Sequence, residues 1–402
     1  MRILWLKTEL LHPVDKGGKI RTYNMLRELK RDHEITYLTL DEGSDESARS
    51  LAYEYCHELV LVPHKTRPKF SAGFYAELAG NLVSPLPYFL KKYESSEMRA
   101  AIADQLARRT FDVIISDFLQ PSVNLPENLS SPALVLFQHN VEAMIWKRHY
   151  EVQPNALKKV YLKNQWLKTL DYERKVSDRF DLVIAVSKED ADTFRKDYGI
   201  ENVIDVPTGV DIDYFRPQRD GQVKPNRLVF TGSMDWLPNE DAMQYFTKEI
   251  LPLVRKRIPD VVITIVGRNP YPSLLELSQR DKGVIVTGRV DDVRPYLDSS
   301  SVFVVPLRIG GGTRLKIYEA MAMELPVVST TIGAEGLPVV PGKEIVMADT
   351  PEEFAESVTE LLKNREMAQE LGRNAATRVR NEFGWDQVAK TFATACENVL
   401  RG

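Results

Sequence analysis

The sequence predicts an α/β protein made of two domains, each a parallel sheet covered by helices. Three observations carry this. Short β-branched runs alternate with longer helix-compatible stretches along the whole chain, as right-handed βαβ units require. The runs are continuously apolar instead of alternating, as in strands buried on both faces of a parallel sheet. They also fall into two sets, too many together for one sheet of ordinary size.

The first set comprises Ile3–Leu6, Ile35–Leu40, Leu59–Val62, Val113–Ile115, Leu134–Phe137, Leu182–Val186 and Val203–Val206. The second comprises Leu228–Thr231, Val261–Val266, Val284–Thr287, Val302–Val305, Val327–Ser329 and Ile345–Met347. Helices fit between them. At 352–363, for example, Phe354, Val358, Leu361 and Leu362 repeat at helical spacing. Between the sets, Pro207, Gly209, Pro217, Gly221 and Pro225 break any periodicity. This places a first domain at 1–206, a linker at 207–225 and a second domain at 226–402. The end of the chain, 384–402, reads as an amphipathic helix with Trp385, Val388, Phe392 and Val399. Two Rossmann-like domains facing each other make a cleft. Ligands of open α/β sheets bind outside the carboxyl ends of the strands, so the strand-to-helix loops are where chemistry is expected.

Composition narrows the class. The chain has 402 residues, 43% hydrophobic and 27% charged, which excludes disorder, collagen-like repeats and coiled coil as the main architecture. Its formal charge is 53 − 57 = −4, which argues against a dedicated nucleic-acid binder. Two distant cysteines, Cys56 and Cys396, form no disulfide framework and fit a reducing compartment. The start, MRILWLKTELLHP, is too short and polar for a signal peptide. No apolar run approaches the roughly 20 residues of a spanning helix. The expected location is cytoplasmic, with any membrane contact peripheral.

Three loops carry candidate chemistry. After the first strand, Gly17 and Gly18 open a helix-compatible run, where backbone N–H groups can approach an anion. After Leu134–Phe137, the segment Gln138-His139-Asn140-Val141-Glu142 puts His139 at the carboxyl end of a buried strand. Residues 302–330 combine most features. A buried strand leads into Gly310, Gly311, Gly312 and Thr313, then Arg314, Lys316 and Glu319 open a helix, and a second strand follows Pro326. Glycines free backbone donors, the helix N-terminus favours negative charge, and Arg314 and Lys316 add cations where a diphosphate would sit. Glu319, one turn on, can accept hydrogen bonds from sugar hydroxyls. No metal site is expected. Asp291-Asp292, the acidic pair in a loop, reads as a helix cap.

The chain resembles the retaining GT-B glycosyltransferases of family 4 over nearly its whole length. In order, the resemblance rests on Gly17-Gly18, the His139 segment, Ala185-Val186-Ser187, Val206-Pro207-Thr208-Gly209-Val210-Asp211, Ile265-Val266-Gly267, and Glu319-Ala320-Met321-Ala322 followed by Pro326-Val327-Val328. GGGTRLKIYEAMA, with FTGSMDWLPNEDA upstream, is similar to sugar transferases of bacterial exopolysaccharide assembly. The resemblance implies GT-B architecture, an acceptor-binding first domain and a second domain that binds the nucleotide-sugar donor. It implies that the terminal helix packs back on the first domain. It assigns Glu319 to the ribose hydroxyls, His139 to the neighbourhood of the donor sugar, and Gly18 to the donor phosphates or acceptor. Gly232, Ser233 and Gly267 fall in its donor-binding loops. Retaining transfer without metal is implied, with a UDP-sugar as the donor expected from family frequency and no separate cofactor.

Two departures stand out. The family glutamate eight residues before Glu319 is Gly311 here. The family's Arg and Lys after the first strand of the second domain are absent from Gly232-Ser233-Met234-Asp235-Trp236. We expect Arg314 and Lys316 to supply that phosphate charge from the other loop. Two alternatives stay open: a nucleotide-sugar epimerase on the same fold, which needs no acceptor, and a non-catalytic donor-binding assembly subunit. For the acceptor, stretches 65–93 and 144–170 are basic and aromatic. The second holds Lys147, Arg148, Lys158, Lys159, Lys163 and Lys168 against Glu151, interleaved with Trp146, Tyr150, Tyr161 and Trp166. Such stretches fit peripheral contact with an anionic membrane carrying a glycan or polyprenyl-linked acceptor.

Overall fold

The structure, a computed structural model, describes residues 1–68, 70–127, 129, 131–218, 224–309 and 315–401. The chain divides into two compact units. One is Met1–Pro207 together with the chain from Val388 onward, and the other is Thr208–Gln387.

The first unit is built on β1 (Arg2–Lys7), β2 (Glu34–Asp41), β3 (Glu58–Pro63), β4 (Val113–Asp117), β5 (Ala133–Phe137), β6 (Leu182–Ala185) and β7 (Val203–Asp205). They form one parallel sheet in the order β3-β2-β1-β4-β5-β6-β7. Residues 3–6, 35–40 and 113–117 are buried throughout, so no polar face interrupts these strands and the continuous apolar runs follow. The strand order reverses between β1 and β4, the point where such a sheet opens a crevice at its carboxyl edge. Late in the chain the helix Trp385–Arg401 brings Phe392 against Trp5 (ring centroids 5.8 Å) and Phe137 (5.1 Å). Cys396 and Cys56 are both buried.

The second unit repeats the plan with β8 (Arg227–Thr231), β9 (Val262–Val266), β10 (Val284–Gly288), β11 (Val302–Val305), β12 (Val327–Ser329) and β13 (Val346–Met347). The order is β10-β9-β8-β11-β12-β13, again parallel. Its reversal lies between β8 and β11. Asp292 Oδ1 accepts from the backbone N–H of Arg294 at 2.9 Å, at the start of the helix Arg294–Asp298.

The boundary between the units falls at the start of the expected inter-domain linker 207–225. Residues 208–217 belong to the second unit. Val210 lies in its core at 3% exposure, and its N–H donates to the Phe383 carbonyl at 2.8 Å. A Cβ on Gly209 would sit 2.6 Å from the Trp385 ring. Prolines and glycines here shape a docked segment. Residues 219–223 lie outside the described set.

Candidate functional site

In the second unit, β8 and β9 end side by side. The N–H of Gly232 donates to the Val266 carbonyl at 2.9 Å and that of Met234 to the Arg268 carbonyl at 2.9 Å. The two loops approach so closely that a Cβ on Gly267 would fall 1.7 Å from the Gly232 carbonyl oxygen. A Cβ on Gly232 would sit 2.7 Å from both Asn239 Nδ2 and Lys316 Nζ. Lys316 lies on the helix Leu315–Ala322. Its Nζ donates to Asn239 Oδ1 at 2.9 Å and lies over the Phe230 ring at 4.1 Å. Asn239 Nδ2 donates in turn to the Ser233 carbonyl at 2.8 Å. Lys316 therefore reaches the glycine loop after β8, the place where the sequence showed no cation.

Arg268 also reaches that loop. Its Nε donates to Ser233 Oγ at 2.7 Å and lies 4.0 Å from Asp235 Oδ2. Asn269 Nδ2 ties down the same carboxylate at 2.8 Å. Arg308, beyond β11, is clamped at 2.7 and 3.1 Å by both oxygens of Asp241, so its charge is largely compensated. Glu319 follows Lys316 at i+3, on the same helix face. It keeps a partly exposed edge. Burial nevertheless pushes its carboxyl up to about 7, against the opposing pull of Lys316.

In the first unit, the ends of β1, β4 and β5 enclose a polar cluster inside the protein. Asp117 Oδ2 accepts from Lys7 Nζ at 2.8 Å, Thr22 Oγ1 at 2.7 Å and Trp5 Nε1 at 3.0 Å. His139 Nε2 lies 2.9 Å from Asp117 Oδ1, but off the ring N–H axis, so neither ring nitrogen has an aligned hydrogen-bond partner. Burial pulls the imidazole down to about 3, outweighing the Asp117 carboxylate, so His139 is neutral. Burial alone would raise Asp117, but the adjacent Lys7 ammonium holds its carboxyl well below the usual range. The neighbouring carboxylate favours the Nε2–H tautomer, which leaves Nδ1 as a lone-pair acceptor.

Phe118 stacks on His139 with centroids 3.9 Å apart and holds a φ of 72°, a region that L side chains rarely adopt. Gly18 faces this pair. A Cβ there would meet Phe118 Cζ at 2.9 Å. Gly18 is thus needed for packing, while Gly17 is open. A second buried carboxylate sets the loop that carries His139. Glu173 accepts from Gln138 Nε2 (3.0 Å), Tyr198 OH (2.8 Å) and the N–H groups of Glu142 (2.8 Å) and Ala143 (3.0 Å). It caps the helix Glu142–Val152 from a distant helix.

Lys316, Gly232, Ser233, Gly267 and Glu319 are thus gathered in the second unit, and His139 and Gly18 meet in the first. Gly310, Gly311, Gly312, Thr313 and Arg314 lie outside the described residues. Sequence reasoning missed Arg268, Asn239, Lys7, Asp117 and Glu173. Arg268 carried a usable signal, since it follows Gly267 at the end of a strand. Asp117 likewise closes β4 as a lone acid after an apolar run. Among the described residues no group of three or more His, Cys, Asp or Glu could hold a metal ion, and no helix is long and apolar enough to cross a membrane.

Two family descriptions match this chain: Glycosyltransferase Family 4 over residues 16–214 and Glycosyl transferases group 1 over residues 225–364. The chain belongs to the family-4 glycosyltransferases. This family-4 chain is 21% identical over 95% of its length to a 44.6 kDa protein in the cps region of Klebsiella pneumoniae, of which the match covers 96%. It is 27% identical over 57% of its length to a GDP-mannose-dependent α-(1-6)-phosphatidylinositol monomannoside mannosyltransferase of Mycobacterium tuberculosis, spanning 64% of that protein. In fold, this glycosyltransferase matches HepE from Anabaena, solved with UDP, at a TM-score of 0.65 and 13% identity, over 99% of this chain and 100% of that one. The two parallel-sheet units are those of the GT-B architecture.

Proposed function

We propose that this glycosyltransferase moves a sugar from a nucleotide-diphosphate sugar to a hydroxyl of a glycan or lipid-linked acceptor, with retention of anomeric configuration, in bacterial surface polysaccharide synthesis. The second unit takes the donor, with UDP-sugars first in the search, and the first unit takes the acceptor. The observation that carries this is the convergence of Lys316 and Arg268 on the Gly232–Ser233 loop, beside the carboxylate of Glu319. That is fixed positive charge for a diphosphate next to an acceptor for a polyol. The mannosyltransferase and cps-region relatives support sugar transfer and the pathway class.

As the bond from the anomeric carbon to the leaving oxygen breaks, negative charge grows on the diphosphate. Preorganised cations and backbone N–H groups stabilise it without reorganising, so the charge needs no metal to carry it. The acceptor oxygen attacks from the same face and its proton passes to the departing phosphate. His139 stays neutral beneath the Phe118 ring, with Asp117 as its positioning residue. The protein is expected to work in the cytoplasm, at the inner face of the membrane.

The test is a thermal-shift screen against UDP, GDP, ADP, TDP and their sugar conjugates, with and without magnesium, followed by NMR of the product anomer. A ligand at 100 times its dissociation constant stabilises by about 2.7 kcal/mol. One nucleotide should stabilise the wild type, and Lys316→Ala and Glu319→Ala should abolish the effect. A screen with no shift, or a shift that both variants keep, overturns the donor site.

A further inference from the structure

Two segments of the first unit expose apolar side chains that no described residue covers. In the helix Ala72–Asn81, with the sequence AGFYAELAGN, Asn81 alone is buried. Around it Phe70 is 78%, Tyr75 55% and Val83 91% exposed. On the helix Ala156–Ser177, Leu157 is 84%, Val160 69% and Leu167 48% exposed. At 3.6 residues per turn these last three fall within an arc of about 80°. The buried positions Gln165, Thr169, Glu173 and Val176 occupy the opposite side. The stripe is therefore the outward face of a helix whose inward face is satisfied.

The segments form one surface. Gln165 Nε2 donates to Asn81 Oδ1 at 2.9 Å, and Lys168 Nζ donates to the carbonyls of Asn81 and Leu82 at 2.6 and 3.0 Å. Val83 thereby lies beside the Lys168 border of the stripe. Lys163 stands on the other border by the same helical count. It has no carboxylate partner among the described residues, whereas Arg67 is taken by Glu77 and Lys91 by Glu94. The aromatics expected to face the lipid in 144–170 do not lead here. Tyr150 stacks on Trp166 at 5.7 Å and Trp146 on Phe89 at 5.6 Å, all half-buried. The exposed apolar groups are aliphatic instead.

Soluble monomers rarely leave large apolar patches open. A patch bordered by lysines, whose alkyl stems can lie along it while the ammonium groups stay in water, is complementary to a bilayer with anionic headgroups. We propose that this face of the first unit docks on an anionic membrane surface, with Val83, Leu157, Val160 and Leu167 entering the headgroup boundary and Lys163 and Lys168, on its two borders, contacting lipid phosphates. This goes beyond the transfer reading and uses no part of the donor site. It would place the acceptor-binding unit where a lipid-linked acceptor resides.

The test is flotation of the full chain with vesicles of phosphatidylcholine alone or mixed with phosphatidylglycerol, at low and high salt. The wild type should float with the mixed vesicles only and be released by salt. Lys163→Ala should weaken binding about fivefold, and Leu157→Glu with Val160→Glu should abolish it. These positions are exposed, so melting temperatures should hold, and an unchanged nucleotide shift would separate a failure here from a failure of the donor reading. Three results overturn the proposal: no flotation with either vesicle, equal flotation with both, or a dimer in ultracentrifugation that Leu157→Glu dissociates, which would assign the face to a second copy.

Discussion

Asp117→Asn is the most informative single change in the first unit. Asp117 is 1% exposed and Lys7 2%, with 2.8 Å between their charged atoms. In the wild type one carboxylate compensates one ammonium and His139 is neutral. Asparagine keeps the shape and can still accept from Trp5 and Thr22, but it leaves the Lys7 ammonium buried and uncompensated. Removing one partner of such a pair costs about 3–5 kcal/mol. The double variant Lys7→Met/Asp117→Asn removes both charges, and its loss should shrink to about 1–2 kcal/mol, the value of the remaining hydrogen bonds. The sign with pH follows from Lys7. Burial already lowers its pKa in the wild type, and without Asp117 it falls further. The unfolded chain then holds more protons than the folded one, so stability of the single variant rises with pH toward the ordinary lysine value. Calorimetry across neutral to alkaline pH reads all of this. A single variant within about 1 kcal/mol of wild type, or a double variant no better than the single, would refute the buried-pair reasoning.

Three further outcomes are expected. Gly267→Ala puts a Cβ 1.7 Å from backbone oxygen, which no side-chain movement relieves, so the second unit should lose about 1–3 kcal/mol or more in calorimetry together with its nucleotide shift. Burial pushes the thiols of Cys56 and Cys396 up to about 12, so neither should react with a thiol reagent at neutral pH until the protein is denatured, and rapid native labelling would contradict the packing. Glu319, held up to about 7, must be ionised to accept from two hydroxyls, so donor affinity by calorimetric titration should rise about tenfold between pH 6 and 8, and Glu319→Gln should flatten that slope.

Strand positions were legible because parallel strands buried on both faces have no polar alternation to blur them. Val302–Val305 and Val327–Ser329 read the same in sequence as in space. Pairings across the sheet were not legible. Lys7 and Asp117 are each a single polar residue closing an apolar run, and only the adjacency of β1 and β4 brings them together. Glu173 sits mid-helix, and nothing local to it tells that it caps the helix after His139. Gly18 was read as an approach for an anion, whereas the ring of Phe118 explains it sterically. The Pro- and Gly-rich stretch misled because its apolar residues, Val210, Ile212 and Phe215, are few and irregularly spaced, yet Val210 is docked in the second core and the other two pack against it.

The missing cations after β8 show why loop-by-loop comparison is a weak guide to function. In a parallel sheet the carboxyl ends of neighbouring strands and their loops share one edge, so a charge can be delivered from any of them. Lys316 arrives from the helix after β11 and Arg268 from the end of β9, and both reach the Gly232–Ser233 loop. Elsewhere burial works the other way. It keeps a proton on Glu319 until about pH 7. In the second unit two cations thus meet one carboxylate, Asp235, at the loop fit for a diphosphate, while Glu319 stands on the Lys316 helix as an ionisable acceptor for hydroxyls. A sugar nucleotide divides its own chemistry in the same way, charged at one part and polyhydroxylated at the other. This division of charge, more than any single residue, favours transfer from a nucleotide-diphosphate sugar.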